Sequence, residues 1–566
     1  MHKSNFNSRA SIERLKRPLL ICGPLTSLAI SPTVNFDPIN LVKTLIFVSI
    51  AFYCIGILIG NPKRHFEEFS RSYKLTIIFF LFFLTLPLFV TSAPIDQQFW
   101  GSFGRNTGYL AYLSFLFLTI SSSAIKEKNF YRRIVLALVL TTVPMSLYCF
   151  IQIAKLDPFN WSTFDIFGTL GNANFLSAFL GMGAIGSLVF SLDKNFSTSK
   201  RIFLVLLSAI SFGITIRTNS IQGPLIYVAG VGIALFFVVR SSRKFSKFRY
   251  LYLLSGFFGF SLAVIALFNK GPLAKIIFQP SVLYRADYMH AGWVMTKSHP
   301  LTGIGLDSFG DWYRQSRGLV STMRTGPERT SNTAHNIFLD ISSGGGIFLL
   351  VSYLALLSIG LISALKYFKG NSKFDPAFVA IFSIWCAYQI QSAISINQVG
   401  VGVWGWLLTG ALIGYPKSNG EPRFLSTKLK SRSGSIRKKP MTLNASAGAS
   451  SLVMLILGFS LAFVPWNADH RYYSAYNSRD LNAMMEAVKV KGSTSWHISQ
   501  VIEAAMKNNF TAQATEMDNL LLARNPRDYF GWRVRYFLTT SSPEQKAESI
   551  VRMKNLDPFN PEIPKS

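Results

Sequence analysis

The sequence predicts an all-α membrane protein with about 13 membrane-spanning helices and a small helical domain at the C-terminal end. Composition supports this prediction, because 49% of the 566 residues are hydrophobic and only 15% are charged, whereas about a quarter of a soluble protein is charged. Apolar runs long enough to cross a bilayer also recur as far as residue 466. The segment 467–566 is polar, mixed in charge and free of such runs, so we expect it to lie outside the membrane.

About 20 apolar residues in a helix span the hydrocarbon core, and fewer suffice where a helix is surrounded by others. The predicted spans are 19–31, 41–60, 74–92, 107–125, 132–154, 173–192, 201–216, 222–240, 249–268, 345–364, 376–394, 399–415 and 448–466. The first is the shortest, and the basic residues before it favour a retained span over a cleaved signal peptide.

Basic residues cluster in alternate connections between these spans. The clusters lie at 63–74, 126–133, 194–201, 240–249, 366–373 and 416–447. Because Lys and Arg accumulate in cytoplasmic loops, the alternation predicts a cytoplasmic N-terminus, an outer loop at 269–344 and an outer C-terminal segment. The net charge of +30 is then mostly a topology signal. It predicts contact with anionic membrane lipids and no binding of nucleic acid.

The four cysteines, Cys22, Cys54, Cys149 and Cys386, each lie inside an apolar run. We expect them to be small buried side chains rather than disulfide partners or metal ligands.

Four segments follow from this pattern: N-terminal membrane helices at 1–268, the outer loop at 269–344, C-terminal membrane helices at 345–466, and the tail at 467–566.

Amphipathic stretches in the tail predict helices near 478–490, 496–508, 511–524, 528–538 and 543–556. Two similar helix ends carry Pro526 and Pro558, which are 32 residues apart, close to the roughly 34-residue tetratricopeptide period. We therefore predict a short tetratricopeptide-like module that scaffolds or binds an envelope partner. The alternative is an unrelated helical tail.

His335 is a candidate for chemistry because it lies just before the apolar run that follows the outer loop. A histidine at this boundary is an interfacial side chain, a helix cap, or a general base acting on a hydroxyl. Its neighbours favour the last role. Asn336 offers an amide, and Asp340 is close enough in sequence to orient the ring.

Arginines in three predicted outer loops are candidates for binding phosphate. Arg285 lies beside Asp287, and Arg217 and Arg105 belong to earlier outer loops. Each either extends to lipid headgroups or holds a phosphate with its planar fork. Because basic residues are rarer in loops on the outer side of the membrane, the presence of these arginines there gives mild support for a functional role.

Asn172 and Asn174 begin a span at the outer face, where their amides cap the helix or bind sugar hydroxyls. The outer loop also contains side chains of the types that bind metal ions, namely His290, His299, His335, Asp287, Asp307 and Asp311. They form no HxxxH or HExxH pattern, so we predict no metal site and no cofactor.

Several stretches, taken in order along the chain, resemble the O-antigen ligase/polymerase family of envelope enzymes. They are Trp100–Gly108, Gly168–Phe175, Arg285 with Trp293, His299–Phe309 and Ala334–Asn336. The resemblance covers roughly 40–415 and implies a GT-C-like helical fold in the bacterial cytoplasmic membrane. It also implies metal-independent, inverting transfer of a glycan from an undecaprenyl diphosphate carrier to a glycan, lipid or protein acceptor.

Roles carried over from that family fall on two residues. The resemblance implies that His335 activates the acceptor hydroxyl and that Arg285 holds the diphosphate. A second family arginine normally lies in a Ser-Arg-Gly-like motif, and the matching stretch Ser220–Gly223 lacks it. Arg217, a few residues upstream, is its implied substitute. Asp340 is the acid nearest to the position where the family often has one.

Two other functions stay open at this point. One alternative is a transporter of a small solute, and the other is a non-catalytic envelope scaffold. Transporters place charges near the middle of the membrane or contain internal repeats, and this sequence shows few such charges and no repeat. A glycosyltransferase is therefore the predicted function.

Overall fold

The computed structural model describes residues 2–62, 66–159, 161, 166–418 and 445–564. Within these residues the chain forms α-helices and two short 3-10 helices, with no β-strand. The prediction of an all-α polytopic membrane protein is confirmed. Parts of two predicted basic loops, 63–65 and 419–444, lie outside the described residues.

The α-helices before the outer loop are α1 (His2–Leu28), α2 (Asn40–Ile59), α3 (Arg71–Thr85), α4 (Pro87–Val90), α5 (Ile95–Trp100), α6 (Tyr109–Ser123), α7 (Lys128–Ile153), α8 (Ala173–Ser191), α9 (Thr198–Arg217), α10 (Gln222–Ser241) and α11 (Arg249–Leu267). The outer loop contains α12 (Ala274–Ile277), α13 (Pro280–Ser298), α14 (Phe309–Ser316) and α15 (Leu319–Thr325). The remaining helices are α16 (Ile337–Gly370), α17 (Pro376–Ile394), α18 (Val399–Gly414), α19 (Ala445–Asn477), α20 (Leu481–Lys489), α21 (Ser495–Lys507), α22 (Thr511–Arg524), α23 (Tyr529–Phe537) and α24 (Pro543–Leu556).

Eleven helical segments in the described part of the chain are long and apolar enough to cross a membrane. They correspond to eleven of the predicted spans. The other two predicted spans also fall on helices: 19–31 overlaps the end of α1, and 107–125 forms α6, which has only 15 residues. Most of α6 is buried against neighbouring helices, so a short helix is sufficient there.

The centre of the membrane bundle is formed by α18 and α8, whose residues are almost all buried. Small residues let neighbouring helices approach closely, as they do in membrane bundles generally. At Gly183 of α8, for example, an added Cβ would lie 2.1 Å from the Thr142 side chain. The helix α11 lies at the edge instead, with Ala266 as its one buried residue.

The helix α16 is broken near its N-terminal end at Gly346, where φ is 81°. An added Cβ there would lie 2.4 Å from the Leu301 carbonyl oxygen, so only glycine fits. The break allows main-chain bonding between α16 and the turn at 300–305. The bonds run from Ile304 N to Ser343 O at 2.8 Å, from Gly305 N to Gly344 O at 3.1 Å, and from Ile347 N to Pro300 O at 2.8 Å.

The tail helices α20 to α24 lie where amphipathic stretches predicted helices. The helix α19 runs without interruption from the last predicted span into the tail, across the predicted boundary at 466. The tetratricopeptide assignment of the tail stays a prediction.

Candidate active site

His335 lies in a tight turn immediately before α16. Its φ is 53°, a left-handed conformation that is uncommon for a residue other than glycine. Thr333 supports this turn: its Oγ1 accepts a hydrogen bond from His335 N at 3.1 Å and lies 3.3 Å from His335 Nδ1. Strained residues of this kind cluster at functional sites. Two more such residues, Asn106 and Asp307, lie in the same part of the structure.

The helix α13 brings Arg285 to the same region. Tyr288 lies three residues after Arg285 and therefore on the same face of the helix. The Tyr288 ring packs against the His335 ring, with 5.0 Å between their centroids. Both Arg285 and His335 are partly exposed, so they remain open to a ligand.

A third positive side chain, Arg105, reaches this region from the loop between α5 and α6. Its guanidinium donates to Asn332 Oδ1, with Nε at 3.1 Å. Asp307 holds the loop in place: its Oδ2 accepts from Ser102 N at 2.9 Å and from Thr107 N at 3.3 Å. The contact from Arg105 to Asn332 joins positions 227 residues apart, so the sequence carried no signal of it.

His335, Arg285 and Arg105 are called the His335 cluster below. The pKa values in this cluster follow from burial and from the charges of the two arginines. Burial, then the positive charges of Arg105 and Arg285, lower the pKa of His335 to about 4. Burial also lowers the pKa of Arg285, and no carboxylate in the described part of the chain offsets that effect. Arg105 differs, because Asp307 and Asp340 partly counter the lowering of its pKa. The site therefore presents a neutral imidazole beside two partly desolvated guanidinium groups.

Three of the predicted site residues near His335 make well-defined structural contacts. Asn336 caps α16, accepting from Leu339 N at 3.1 Å, and donates to Ala393 O at 2.9 Å. Asp340 accepts from Ala334 N at 2.7 Å and so braces the turn rather than the imidazole ring. Asp287 pairs with the Arg324 guanidinium at 2.8 Å.

The remaining predicted site residues lie at the N-terminal end of α8 and the C-terminal end of α9. Asn172 caps α8, its Oδ1 accepting from Asn174 N at 2.8 Å. The Asn174 side chain accepts from Ser220 Oγ at 2.7 Å and links the start of α8 to the loop between α9 and α10. Arg217 is the exposed last residue of α9, and in the described residues no hydrogen bond or ion pair joins it to the His335 cluster.

No group of three or more His, Cys, Asp or Glu side chains is arranged to hold a metal ion within residues 2–62, 66–159, 161, 166–418 and 445–564. The candidate ligands are dispersed or engaged elsewhere. His299, for example, packs edge-to-face on Trp312 at 4.7 Å.

His335 opens into a cavity of about 530 Å³, which no sequence pattern predicts. One wall carries Tyr288, Asn332 and His335, and the other carries Tyr529 and Phe530 from the tail. A second cavity of about 580 Å³ shares Asp311 and Asn332 with the first. The tail is therefore part of the site's surroundings.

One stretch of the chain, which includes α13 and the start of α16, is similar to a known family. Residues 203–354 match the family model described as O-antigen ligase. The match includes Arg285 and His335, and the resemblance inferred from the motifs is confirmed over this stretch. No curated protein matched the chain. The match and the apolar helices together indicate a multi-pass membrane protein.

Proposed function

From the similarity of residues 203–354 to the O-antigen ligase family, we propose that this protein is a glycosyltransferase that acts at the outer face of the cytoplasmic membrane. It moves a glycan from an undecaprenyl diphosphate carrier to an acceptor hydroxyl, in the bacterial cytoplasmic membrane. The N-terminus is cytoplasmic and the tail is extracytoplasmic, as the distribution of basic loops favours. No metal or cofactor takes part.

One observation supports this proposal most strongly. The His335 imidazole lies near two arginines, and its burial, together with their positive charges, lowers its pKa to about 4. Guanidinium groups bind phosphate through paired charge-assisted hydrogen bonds. Arg285, without an internal carboxylate partner among the described residues, is suited to the diphosphate. Arg105 takes the role of the second diphosphate-binding arginine, because it lies near His335 and Arg217 does not contact this cluster in the part of the chain that the structure describes.

The chemistry follows from this arrangement. The acceptor oxygen attacks the anomeric carbon, the bond from that carbon to the diphosphate oxygen breaks, and the hydroxyl proton passes to His335 Nε2. With Nδ1 donating to Thr333 Oγ1, which lies 3.3 Å away, the Nε2 lone pair is free. Both arginines stabilise the negative charge that develops on the leaving diphosphate. Because attack comes from the opposite face, the anomeric configuration inverts.

The carrier's lipid chain has a suitable place beside this site. A groove of about 860 Å³, lined almost entirely by apolar side chains, lies between α10, α11, α16 and α17. Gly256 and Gly259 keep it open, since a Cβ on either would meet no atom within 4 Å. One end reaches Leu273 and Ile277, in the segment that leads into α13 and Arg285.

The proposal is tested by arginine variants of the purified full-length protein. Given lipid-linked glycan from the cell's own membranes, Arg285→Ala and Arg105→Ala are each expected to lower kcat/KM for release of the lipid diphosphate about 10²–10³-fold, because each removes a charge-stabilising donor. Lys297→Ala, an exposed change on the same helix as Arg285, is the control. Normal release by both arginine variants would contradict the proposal. A large loss in Arg217→Ala with normal Arg105→Ala would assign the second role to Arg217.

Filling the groove is expected to weaken use of the donor. Gly256→Leu and Gly259→Leu should raise KM for the lipid-linked glycan roughly three- to tenfold with little change in kcat. The effect is modest because only van der Waals contacts are lost and the bilayer is equally apolar. Gly213→Leu is the matched control, since its Cβ also meets open space but on α9, away from the groove. Equal KM in all three variants would place the lipid chain elsewhere.

A further inference from the structure

The cavity at His335 is closed on one side by the tail. Asn332, Tyr288 and His335 line one side, and Tyr529 and Phe530 at the start of α23 line the other. No residue of the tail belongs to the stretch that matches the ligase family. A ligand that reached His335 through this cavity would therefore touch both parts of the chain.

The tail is attached here by buried contacts. Asp557 accepts from Arg317 at 2.7 Å, and both side chains are fully buried. The Arg527 guanidinium lies 3.4 Å from the centre of the Trp312 ring. Two similar helix ends of the tail, at 524–528 and 556–561, thus both rest on α14 and the residue after it. The wall opposite His335 is consequently a fixed part of the site.

The lining of this cavity favours a hydroxyl-rich ligand. Tyr288, Tyr529 and Phe530 provide aromatic surface, while amide and charged groups lie between them. The charges are largely matched, since Arg533 pairs with Glu328 at 2.7 Å. A strongly charged ligand thus gains little, and an acyl chain would bury these polar groups unpaired. A sugar ring offers both an apolar face for the aromatic rings and hydroxyls for the polar groups.

The second cavity extends the space between the tail and the outer loop. It has Asp311 in common with the first cavity and is lined further on by Trp100 and Trp496. Asp311 bridges the two parts of the chain, accepting from Gln97 Nε2 at 2.9 Å and from Asn525 Nδ2 at 3.1 Å. Each cavity lies in the roughly 300–1,000 Å³ range of ligand pockets, so there is room for several sugar rings in line.

We propose that the tail is the acceptor-binding domain of this protein and that the acceptor is a saccharide. The attacked hydroxyl lies at His335, and the rings that follow it lie against Tyr529 and Phe530. This inference rests on the proposed function, and it selects the glycan among the acceptor classes that the sequence left open.

The test uses the full chain in phosphatidylethanolamine–phosphatidylglycerol nanodiscs. The probe is the oligosaccharide fraction released by mild acid from the envelope of the producing cell. Tyr529→Ala and Phe530→Ala are expected to raise KM for this acceptor about tenfold each, the factor that corresponds to about 1.4 kcal/mol of ring contact. KM for the lipid-linked donor and kcat should change little. Phe537→Ala, on the same helix but exposed and outside the cavity, is the matched control.

Two further measurements separate a binding role from misfolding. Tyr529→Phe and Phe530→Tyr retain the rings and should retain the acceptor KM. Saturation-transfer NMR should show contact between the wild-type protein and the saccharide, weakened in the alanine variants alone.

The possible results are distinguishable. An unchanged acceptor KM in both alanine variants, with transfer still lost in Arg285→Ala, would overturn the acceptor role while leaving the proposed function intact. Saturation transfer to an added envelope peptide but not to the saccharide would also overturn it. If the wild type released no lipid diphosphate, the proposed function would fail, and saccharide contact at the tail would still be measurable.

Discussion

Replacing His335 with alanine is expected to slow release of the lipid diphosphate about 10²–10⁴-fold, the usual contribution of a positioned general base. The loss should fall on kcat, because in the proposed function Arg285, Arg105 and the lipid groove hold the donor and the imidazole does not. Binding of the lipid-linked glycan, measured by its protection of the protein against thermal unfolding, should be retained. His290→Ala, an exposed change on α13, should have little effect on either quantity.

The pH dependence of the wild type gives an independent check on the same residue. The pKa of His335 is lowered to about 4, below its ordinary 6.5, so the ring is neutral and able to accept a proton above that value. We expect kcat/KM to be level from about pH 8 to about pH 5 and to fall below about pH 4 as the base becomes protonated. A fall centred near 6.5, or full activity in His335→Ala, would contradict the assigned role.

Replacing Asp557 with alanine is expected to release the tail from α14. The change leaves the fully buried Arg317 guanidinium without its charged partner, and loss of one partner of a buried pair costs about 3–5 kcal/mol. Arg314, whose Nη1 donates to the same carboxylate at 3.0 Å, also loses a contact. The equilibrium between docked and open tail should therefore shift by more than a hundredfold, which limited proteolysis of the tail reports.

The control for this variant is Glu548→Ala, which removes an exposed pair with Arg552 on the same helix. Such pairs contribute only about 0.3–0.5 kcal/mol, so proteolysis should change little. If both variants were cleaved at the same rate, the contact between Asp557 and Arg317 would not hold the tail in place.

Helix positions could be predicted closely where local signals are strong. The span predicted at 376–394 coincides with α17, which begins at a proline and is capped by Asp375. The helix predicted at 511–524 coincides with α22. The span predicted at 345–364 begins at the break in α16 instead of at its start, Ile337. The apolar pattern marks the membrane part of a helix but carries no information about a polar extension beyond it.

The candidate site was predictable only in part. Arg285 and His335 stand at chain boundaries that the sequence makes visible, and their proximity is a result of the fold. Sequence spacing predicts that Asp340 orients the imidazole, but Asp340 accepts from Ala334 N because the left-handed turn at His335 redirects the chain. The number of residues between two positions does not show which backbone angles the chain adopts between them. The position of Tyr529 in the lining of the cavity at His335 could not be predicted either, since it depends on contacts between segments that are distant along the chain.

Main-chain groups, rather than side chains, attach the turn at 300–305 to the broken end of α16. Every residue type except proline has the same main-chain N–H and C=O groups, so this attachment depends on sequence mainly at Gly303, Gly305 and Gly346, whose positive φ values favour glycine. Side chains of the outer loop that do not contact the His335 turn can therefore be exchanged while this attachment is kept. Natural drift or laboratory selection could in this way alter which acceptor is used while the reacting groups stay at the same depth.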